Sequence, residues 1–276
     1  MSLLKKLLLP LTAALLTGCA TAPPAARLDN TYTARSQSSR VKFVILHYTV
    51  GNLPSAIKTL TEQVVSSHYL LTDEAEPKFY VLVDESRQSN HAGLSSWKTF
   101  SNLNPASIGI EIVNPGYTDN ARGAYAPFSQ AQIDQLILLL KDIVKRHQIA
   151  PQNILGHADI APQRKQDPGP MFPWKQLADA GLITWPDAAQ VAAQQAVFET
   201  QMPDIMWIQK RLAQHGYALA QTGVLDDATR NVLFVFQSKY RQSKYDGEPD
   251  AETAAILDVL TRPQAAAPVA ATQELH

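Results

Sequence analysis

The sequence has little of several residue types, and each shortage narrows the classes of protein that it can encode. Cys19 is its only cysteine, so the chain cannot form an internal disulfide. A metal site elsewhere in the chain would therefore have to use His, Asp or Glu. The 24 lysines and arginines are balanced by 25 acidic residues. Without a basic excess, no nucleic-acid partner is expected.

The chain also lacks a long apolar run, and its most apolar segment is the short "LLLPLTAALL" at residues 7–16. Lys5 and Lys6 precede this run, a combination typical of a secretory signal rather than of a membrane-spanning helix. The run ends in "LTGC", which resembles the lipobox of bacterial lipoproteins. We therefore expect removal of residues 1–18 and lipid attachment at Cys19. By the same analogy, Ala20 after the cysteine favours the outer membrane, with the protein facing the periplasm.

The first half of the chain alternates strand-like and helix-like patterns. The segments rich in β-branched and apolar residues predict strands at 41–49, 66–72, 78–85 and 107–114. Residues 129–147 show the apolar period of a helix that begins with a capping box of Ser129 and Gln132. A further short strand in "QNILG" leads into "GHAD". This alternation predicts an α/β fold with a mixed β-sheet flanked by helices.

The second half predicts a separate small helical domain. Residues 188–200 are rich in Ala and Gln, which indicates a linker that is helical in part. Three amphipathic helices should follow, each starting near an Asp or Pro. The predicted segments are thus a signal peptide (1–18), a lipid-anchored tether (19–40), an α/β domain (41–187), a linker (188–200), a three-helix domain (201–262) and a disordered tail (263–276).

Three side chains have the chemistry of a metal site. His47 and His157 each lie at the end of a short apolar strand, and Asp167 follows ten residues after His157 in "GHADIAPQRKQDPGP". Two imidazoles and one carboxylate would leave a tetrahedral zinc ion one open position for water, which is the catalytic arrangement. On spacing alone, these residues are equally compatible with ordinary polar loop chemistry.

Five blocks of sequence together resemble the zinc-dependent N-acetylmuramoyl-L-alanine amidases, which share their fold with peptidoglycan recognition proteins. The blocks are "FVILHYT", "SSHYLL", "NHAGLSSW", "SIGIEIVN" and "GHADIAPQRKQDPGPMFPW", and they span roughly residues 40–187. The later pattern "IQKRLAQHGY" with "TGVLDDATRNVLFVFQSKY" is similar to the helical peptidoglycan-binding module. The resemblance implies a zinc amidase catalytic domain at 41–187 and a peptidoglycan-binding-like domain at 201–262.

The resemblance also implies roles for individual residues. It makes His47, His157 and Asp167 the ligands of one Zn²⁺ per chain, Glu111 the catalytic acid and base, and Lys165 an active-site cation. The alternation in "SIGIEIVN" independently points Glu111 away from the isoleucine face of its strand. A solvated strand residue and a loop charge are the plainer interpretations of Glu111 and Lys165.

Three more residues align with stretches that line the substrate groove in this family. His91 and Trp97 in "NHAGLSSW" would contact sugar or peptide, although packing explains both almost as well. Arg164 would meet a carboxylate of the stem peptide, or instead pair with a nearby aspartate.

The implied reaction is hydrolysis of the amide between the lactyl group of N-acetylmuramic acid, ordinary or 1,6-anhydro, and the L-alanine of the stem peptide. Peptidoglycan and muropeptides are then the partners, a monomer is expected, and the role is wall turnover or recycling. Three rival functions are weighed against this one. A non-catalytic sensor would typically lose a zinc ligand, and a common zinc peptidase would carry an H-E-x-x-H helix, which this chain lacks. A purely structural envelope tether would bind no zinc.

Overall fold

The computed structural model describes residues 26–117 and 125–262. The predicted signal peptide, the lipid-attachment residue Cys19 and the predicted tail 263–276 lie outside the described residues. Residues 26–38 belong to one unit and contain no helix or strand, and the described residues from Ser39 onward belong to a second, compact unit. None of the helices in the described ranges has the length and apolar character needed to cross a membrane.

A five-stranded sheet is the centre of the second unit. Its strands are β1 (Phe43–Tyr48), β2 (Tyr69–Leu71), β3 (Phe79–Val81), β6 (Ser107–Ile112) and β7 (Ile154–Gly156), and a small ribbon is formed by β4 (Ser96–Trp97) and β5 (Phe100–Ser101). The order in the sheet is β3–β2–β6–β1–β7. All neighbours are parallel except β3, which runs antiparallel to β2 at one edge. The prediction of a mixed sheet is confirmed.

Eight helices are present in the described residues. They are α1 (Leu53–Glu62), α2 (Gln130–His147), α3 (His157–Ile160), α4 (Trp174–Asp179), α5 (Ala188–Thr200), α6 (Ile205–His215), α7 (Asp227–Tyr240) and α8 (Ala251–Thr261). The capping box predicted for α2 is formed, because the backbone N–H of Gln132 donates to Ser129 Oγ and that of Ser129 donates to Gln132 Oε1. Helix α1, which the sequence patterns did not predict, begins at an Asn52 cap.

The two faces of the sheet are covered by different parts of the chain. On one face, the isoleucines of β6 and Val44 and Leu46 of β1 pack against the apolar stripe of α2. On the other face, Phe43, Ile45 and Leu155 share one core cluster with side chains of the C-terminal helices. That cluster includes Ile208, Leu212, Val232, Leu233, Phe236 and Leu257. The C-terminal helices therefore form the second apolar cover of the sheet.

The segment 188–200 differs from the predicted linker. It is helical over all 13 residues of α5, and it packs against α8. Its composition explains this, since alanine and glutamine are good helix formers and Asp187 accepts a hydrogen bond from the N–H of Gln190 as the cap. The same Asp cap recurs at the start of α6, α7 and α8, as the sequence predicted.

The packing of α2 on the sheet gives a stability prediction. Leu136 is fully buried in that core, whereas Leu138 on the same helix is 61% exposed. We expect Leu136→Ala to lower the free energy of unfolding by about 2–5 kcal/mol, because it removes buried methyl groups and leaves a cavity. Leu138→Ala is the matched control and should stay within about 0.5 kcal/mol of the unchanged protein. Denaturant unfolding measures both, and equal losses would contradict the described packing.

His215 at the end of α6 gives a prediction for pH. Its ring is surrounded by Trp97, Tyr217, Phe236 and Tyr240, at centroid distances of 5.5–5.8 Å. Burial, followed by the charge of Lys239, lowers the pKa of His215 from 6.5 to about 3. The unfolded chain therefore takes up a proton at this position below pH 6.5 that the folded chain does not, and stability should fall as the pH is lowered from 6.5 towards 3.

His215→Gln removes this titration. When both proteins are free of metal, the variant should therefore lose less stability than the unchanged protein as the pH is lowered from 6.5 towards 3. Unfolding curves at a series of pH values make the comparison. An identical pH dependence in both proteins would refute the pKa shift of His215.

Candidate active site

The register of three parallel strands brings the candidate site residues together. His47 of β1 pairs directly with Glu111 of β6, and Leu46 pairs with Gly156 at the end of β7. His157, the next residue, follows at the same level as His47. Because paired residues of neighbouring parallel strands point to the same face, these side chains form a row at the carboxyl ends of the strands. The C-terminal helices cover this same face of the sheet at Phe43 and Ile45, the residues of β1 that precede His47.

Asp167 reaches this row through residues 156–172, which we call the site loop. The loop returns closely onto the end of β7, and the backbone N–H of Ala158 donates to the carbonyl of Asp167 at 2.9 Å. Glycine is required at position 156, because a Cβ there would lie 2.6 Å from Pro168 Cδ. The contact places the Asp167 carboxylate beside His157.

Three donor atoms converge in a buried triangle. His47 Nδ1 lies 3.0 Å from both His157 Nδ1 and Asp167 Oδ2, and the remaining side of the triangle is 3.1 Å. All three residues are buried, with exposed fractions of 2–6%. The structure thus brings together the three residues that the sequence singled out as a metal site.

The hydrogen-bond partners of the two imidazoles determine where their protons lie. His157 Nε2 is 3.2 Å from the carbonyl oxygen of Ala92, which only accepts. Its other neighbour, Arg164 Nη2 at 3.3 Å, uses its two hydrogens on the carbonyls of Ala92 and Leu94, so His157 Nε2 carries the proton. For His47, a chain of bonds leads to the same result. Ser107 Oγ donates to the Leu103 carbonyl at 2.7 Å and therefore accepts from His91 Nε2 at 3.1 Å.

His91 Nδ1 is then unprotonated and accepts from His47 Nε2 at 3.1 Å. Both Nδ1 atoms in the triangle consequently present lone pairs to each other and to a carboxylate oxygen. Three lone pairs at this separation repel one another unless a cation lies among them.

The protonation states also suit a metal. Burial, followed by the neighbouring His157, lowers the pKa of His47 to about 4, so its imidazole is neutral at pH 7. For Asp167, burial alone would raise the pKa, but the two histidines lower it well below its usual value. Ligands of a tetrahedral zinc ion lie about 3.3 Å apart. The triangle is close to that spacing, and it is able to hold a metal ion.

Glu111 and Lys165 lie beside the triangle. Part of the Glu111 side chain is accessible, but its Oε2 is buried and has no hydrogen-bond partner among the described residues. Burial and the charge of Asp167 raise the pKa of Glu111 well above its usual value, and Lys165 opposes this rise. Lys165 is partly exposed, and its ammonium makes no ion pair with any described residue. A carboxyl and an ammonium group are thus available to a bound molecule.

His91 and Arg164 have different surroundings from those expected of groove residues. Both ring nitrogens of His91 are used, one by His47 and one by Ser107, and the side chain is 8% exposed. The structure therefore places His91 behind a metal-site histidine, which favours the alternative of packing over substrate contact. Arg164 is exposed and donates to the carbonyls of Ala92 and Leu94, so it holds that loop instead of pairing with an aspartate.

Trp97 is buried against the C-terminal helices. Its side chain is 1% exposed and packs edge-on against Tyr217 and His215, with centroids 5.1 and 5.7 Å away. The bulky indole packs in the same core cluster as the C-terminal helices, and its buried N–H has no hydrogen-bond partner among the described residues. The alternative of packing, rather than substrate contact, is the one that the structure supports for Trp97.

Some supporting residues could not be found from the sequence. Asn104 accepts the backbone N–H groups of His91 and Ala92, and Ser107 fixes the protonation of His91. Both are short polar residues in ordinary turn or strand positions, and only the folded neighbourhood gives them a role.

Comparison with known protein families identifies the class of this protein. The family model described as N-acetylmuramoyl-L-alanine amidase matches residues 37–170. A second model, "Putative peptidoglycan binding domain", matches residues 201–257. A relative from the same family is 42% identical over 85% of this chain. The chain therefore belongs to the N-acetylmuramoyl-L-alanine amidases, which are hydrolases of a linear amide.

Within that family, the chain is similar to AmiD of Escherichia coli (strain K12), with 42% identity over 241 residues that cover 85% of this chain and 87% of AmiD. A solved structure of E. coli AmiD with a substrate superimposes with a TM-score of 0.77 at 41% identity, covering 84% of this chain and 93% of that chain. AmpDh3 of Pseudomonas aeruginosa in complex with anhydromuramic pentapeptide gives a TM-score of 0.80 at 36% identity, covering 85% and 97%. The family resemblance read from the sequence is confirmed.

The close packing of His91 generates a prediction. A Cβ at Gly109 would lie 2.5 Å from His91 Cγ, so Gly109→Ala should push the imidazole away from His47. We expect a loss of about 1–3 kcal/mol in the free energy of unfolding, together with weaker metal binding. In the control Gly51→Ala, the nearest atom is Oγ of the exposed Ser55, and its rotation away would break one exposed hydrogen bond to the Asn52 carbonyl. Equal unfolding and metal-binding curves for the two variants would contradict this account of His91.

Proposed function

We propose that the chain is a zinc-dependent N-acetylmuramoyl-L-alanine amidase that releases the stem peptide from muramic acid in cell-wall turnover or recycling. The observation that carries the proposal is the buried triangle of unprotonated donor atoms from His47, His157 and Asp167, with Glu111 and Lys165 beside it. The substrates of the relatives support the chemistry. E. coli AmiD was solved with anhydro-N-acetylmuramic acid-L-Ala-D-γ-Glu-L-Lys, and AmpDh3 with anhydromuramic pentapeptide.

His47, His157 and Asp167 would hold one zinc ion through Nδ1, Nδ1 and Oδ2. Bound zinc supplies positive charge that favours the carboxylate form of Glu111, lowers the pKa of a water towards about 7 and polarises the substrate carbonyl. The chain's part is to keep the donors unprotonated. The Ala92 carbonyl and the His91–Ser107 pair do this by holding the proton of each ligand histidine on Nε2.

Glu111 and Lys165 carry the proton and charge transfers. Glu111 takes a proton from the attacking water, whose oxygen forms the new bond to the lactyl carbonyl carbon, and then delivers that proton to the departing nitrogen of L-alanine. Lys165 donates to the carbonyl oxygen as negative charge develops there. The carbon–nitrogen bond breaks, which leaves a lactyl carboxylate and a free amine. The unpaired Oε2 of Glu111 and the unpaired ammonium of Lys165 support these roles.

The substrate is the amide of either 1,6-anhydro or ordinary N-acetylmuramic acid. Arg164 is exposed and adjacent to His157, and its Nη1 donates to no acceptor among the described residues, so it would be available to a carboxylate of the stem peptide. We retain Arg164 as the substrate-binding residue of the three that the sequence suggested, because His91 and Trp97 are buried.

Anchoring and wall binding complete the proposal. Cleavage before Cys19 and its acylation would attach a monomer to the outer membrane, facing the periplasm, through a tether of residues 19–40. Residues 41–187 form the catalytic domain in this proposal and 201–262 the peptidoglycan-binding-like domain, joined by 188–200. Wall binding by the C-terminal domain is supported by the family model that matches it.

The test combines zinc content with product analysis on the chain from residue 20 onward. With a muropeptide as substrate, we expect a free stem peptide with a new L-alanine amino terminus, and its loss on chelation and in His157→Ala. Glu111→Gln should keep stoichiometric zinc while turnover falls by about 10²–10⁴-fold, because the proton transfers are lost. Mass spectrometry of the products and metal analysis give both readouts.

Glu62→Gln, at an exposed position of α1, is the matched control and should retain full turnover. An intact muropeptide with no bound zinc would refute the proposed function. Full turnover by Glu111→Gln would refute only the role of Glu111 as acid and base.

A further inference from the structure

Helix α7 of the C-terminal domain runs along the site loop and is bonded to it at several points. Near the start of α7, Asn231 Nδ2 donates to Gln163 Oε1 at 3.0 Å, and Gln163 Nε2 donates to the Ala228 carbonyl at 3.1 Å. Near its end, Lys239 forms an ion pair with Asp159 at 2.8 Å. Immediately after the helix, Gln242 bonds to the loop again. At least one partner in each of these bonds is a side chain. The bonded loop residues are spread along the site loop, which carries His157 and Asp167.

The ion pair of Lys239 and Asp159 is almost completely buried, with side-chain exposures of 4% and 2%. Asp159 also accepts from the Tyr217 hydroxyl and from the backbone N–H of Gly156, each at 2.8 Å. The carboxylate thus ties the end of β7 to two residues of the C-terminal domain. Between these attachment points lies His157, the first residue of the short helix α3, so the bonds of Asp159 fix the direction in which His157 leaves the strand.

Gln242 holds the other end of the site loop. Its Nε2 donates to the carbonyls of Phe172, at 2.6 Å, and of Pro170. These carbonyls follow Asp167 by three to five residues, in the stretch where the loop turns back into the core. The Phe172 carbonyl also accepts the backbone N–H of Trp174, whereas Gln242 is the one donor to the buried Pro170 carbonyl among the described residues. A buried carbonyl left without a donor is costly, so the bond to Pro170 favours one path of the chain after Asp167.

We propose that Lys239 and Gln242 are positioning residues for the metal site, and that the C-terminal domain serves as the brace of the site loop in addition to any contact with the wall. This rests on the zinc-ligand roles of the proposed function. A ligand histidine and a ligand carboxylate on one loop must keep their separation within a few tenths of an ångström, and the groups that orient metal ligands typically change metal affinity by about 10–100-fold when removed. Lys239 and Gln242 orient the loop that carries His157 and Asp167, and both belong to the C-terminal domain.

The experiment uses the chain from residue 20 onward with Gln242→Ala and Lys239→Met. Each has a matched control within the C-terminal domain. Gln214→Ala removes a similar bond from a glutamine side chain to the Thr261 carbonyl, and Lys244→Met removes an exposed ion pair with Asp250. Gln242 is only partly buried, so Gln242→Ala should fold even if Lys239→Met does not.

Two readouts separate the positioning role from a general loss of stability. Zinc affinity, measured by chelator competition on folded protein, should fall at least tenfold in Gln242→Ala and stay unchanged in Gln214→Ala. In metal-free protein, hydrogen exchange of the site-loop amides of Ala158, Lys165 and Phe172 should be about three- to tenfold faster in Gln242→Ala. Exchange in helix α2 should not change.

The possible outcomes separate the positioning role of Lys239 and Gln242 from the zinc assignment of the proposed function. Unchanged zinc affinity and unchanged loop exchange in both variants would overturn the brace while leaving the zinc assignment intact. Faster exchange throughout the protein, with unchanged zinc affinity, would reduce Lys239 and Gln242 to ordinary stabilising residues. If the chain without substitutions binds no zinc, the zinc assignment of the proposed function fails, and the positioning role fails with it.

Discussion

The convergence of three unprotonated donor atoms in one buried triangle is the constraint on which the rest of the structure depends. Two imidazole lone pairs and a carboxylate oxygen are held 3.0–3.1 Å apart in a site that is closed to water on most sides. Such an arrangement does not persist by itself, so each donor has to be held from behind. The outer hydrogen bonds of the histidines, the return of the site loop and the packing of the C-terminal helices all act to hold it.

The support differs from one donor to the next. His47 is part of β1, which pairs with a strand on each side and whose six residues are all buried, so its backbone is fixed by the sheet itself. His157 begins the four-residue helix α3 just beyond a three-residue strand, and Asp167 lies in a loop, so neither is held by an element as long as β1. The loop that carries these two residues receives bonds from the C-terminal helices, at Asp159, Gln163, Pro170 and Phe172. The external support is therefore greatest where the local secondary structure is shortest.

Much of the fold and of the candidate site is predictable from local patterns, because these patterns carry their own physical causes. The capping box of α2, the Asp caps of the later helices and the alternation in β6 all depend on neighbours within a few residues. The meeting of His47, His157 and Asp167 follows from strand ends and a short loop. The sequence left packing and substrate contact open for Trp97, because the residue that covers it, Tyr217, is 120 positions away in the sequence. No local pattern contains a contact of that range, and the pairing of Lys239 with Asp159 is of the same kind.

The shared core between the sheet and the C-terminal helices limits how this protein can be recombined with others. Phe43, Ile45 and Leu155 would face solvent if another wall-binding module were substituted for the helices, since a fused domain on a flexible linker would not cover them. A working chimera would need to reproduce the apolar face of α6 and α7 as well as the binding specificity. The sheet and the C-terminal helices therefore have to be kept together in any fusion protein. The gap between the two family models, residues 171–200, is not a place where the chain can be freely cut and rejoined.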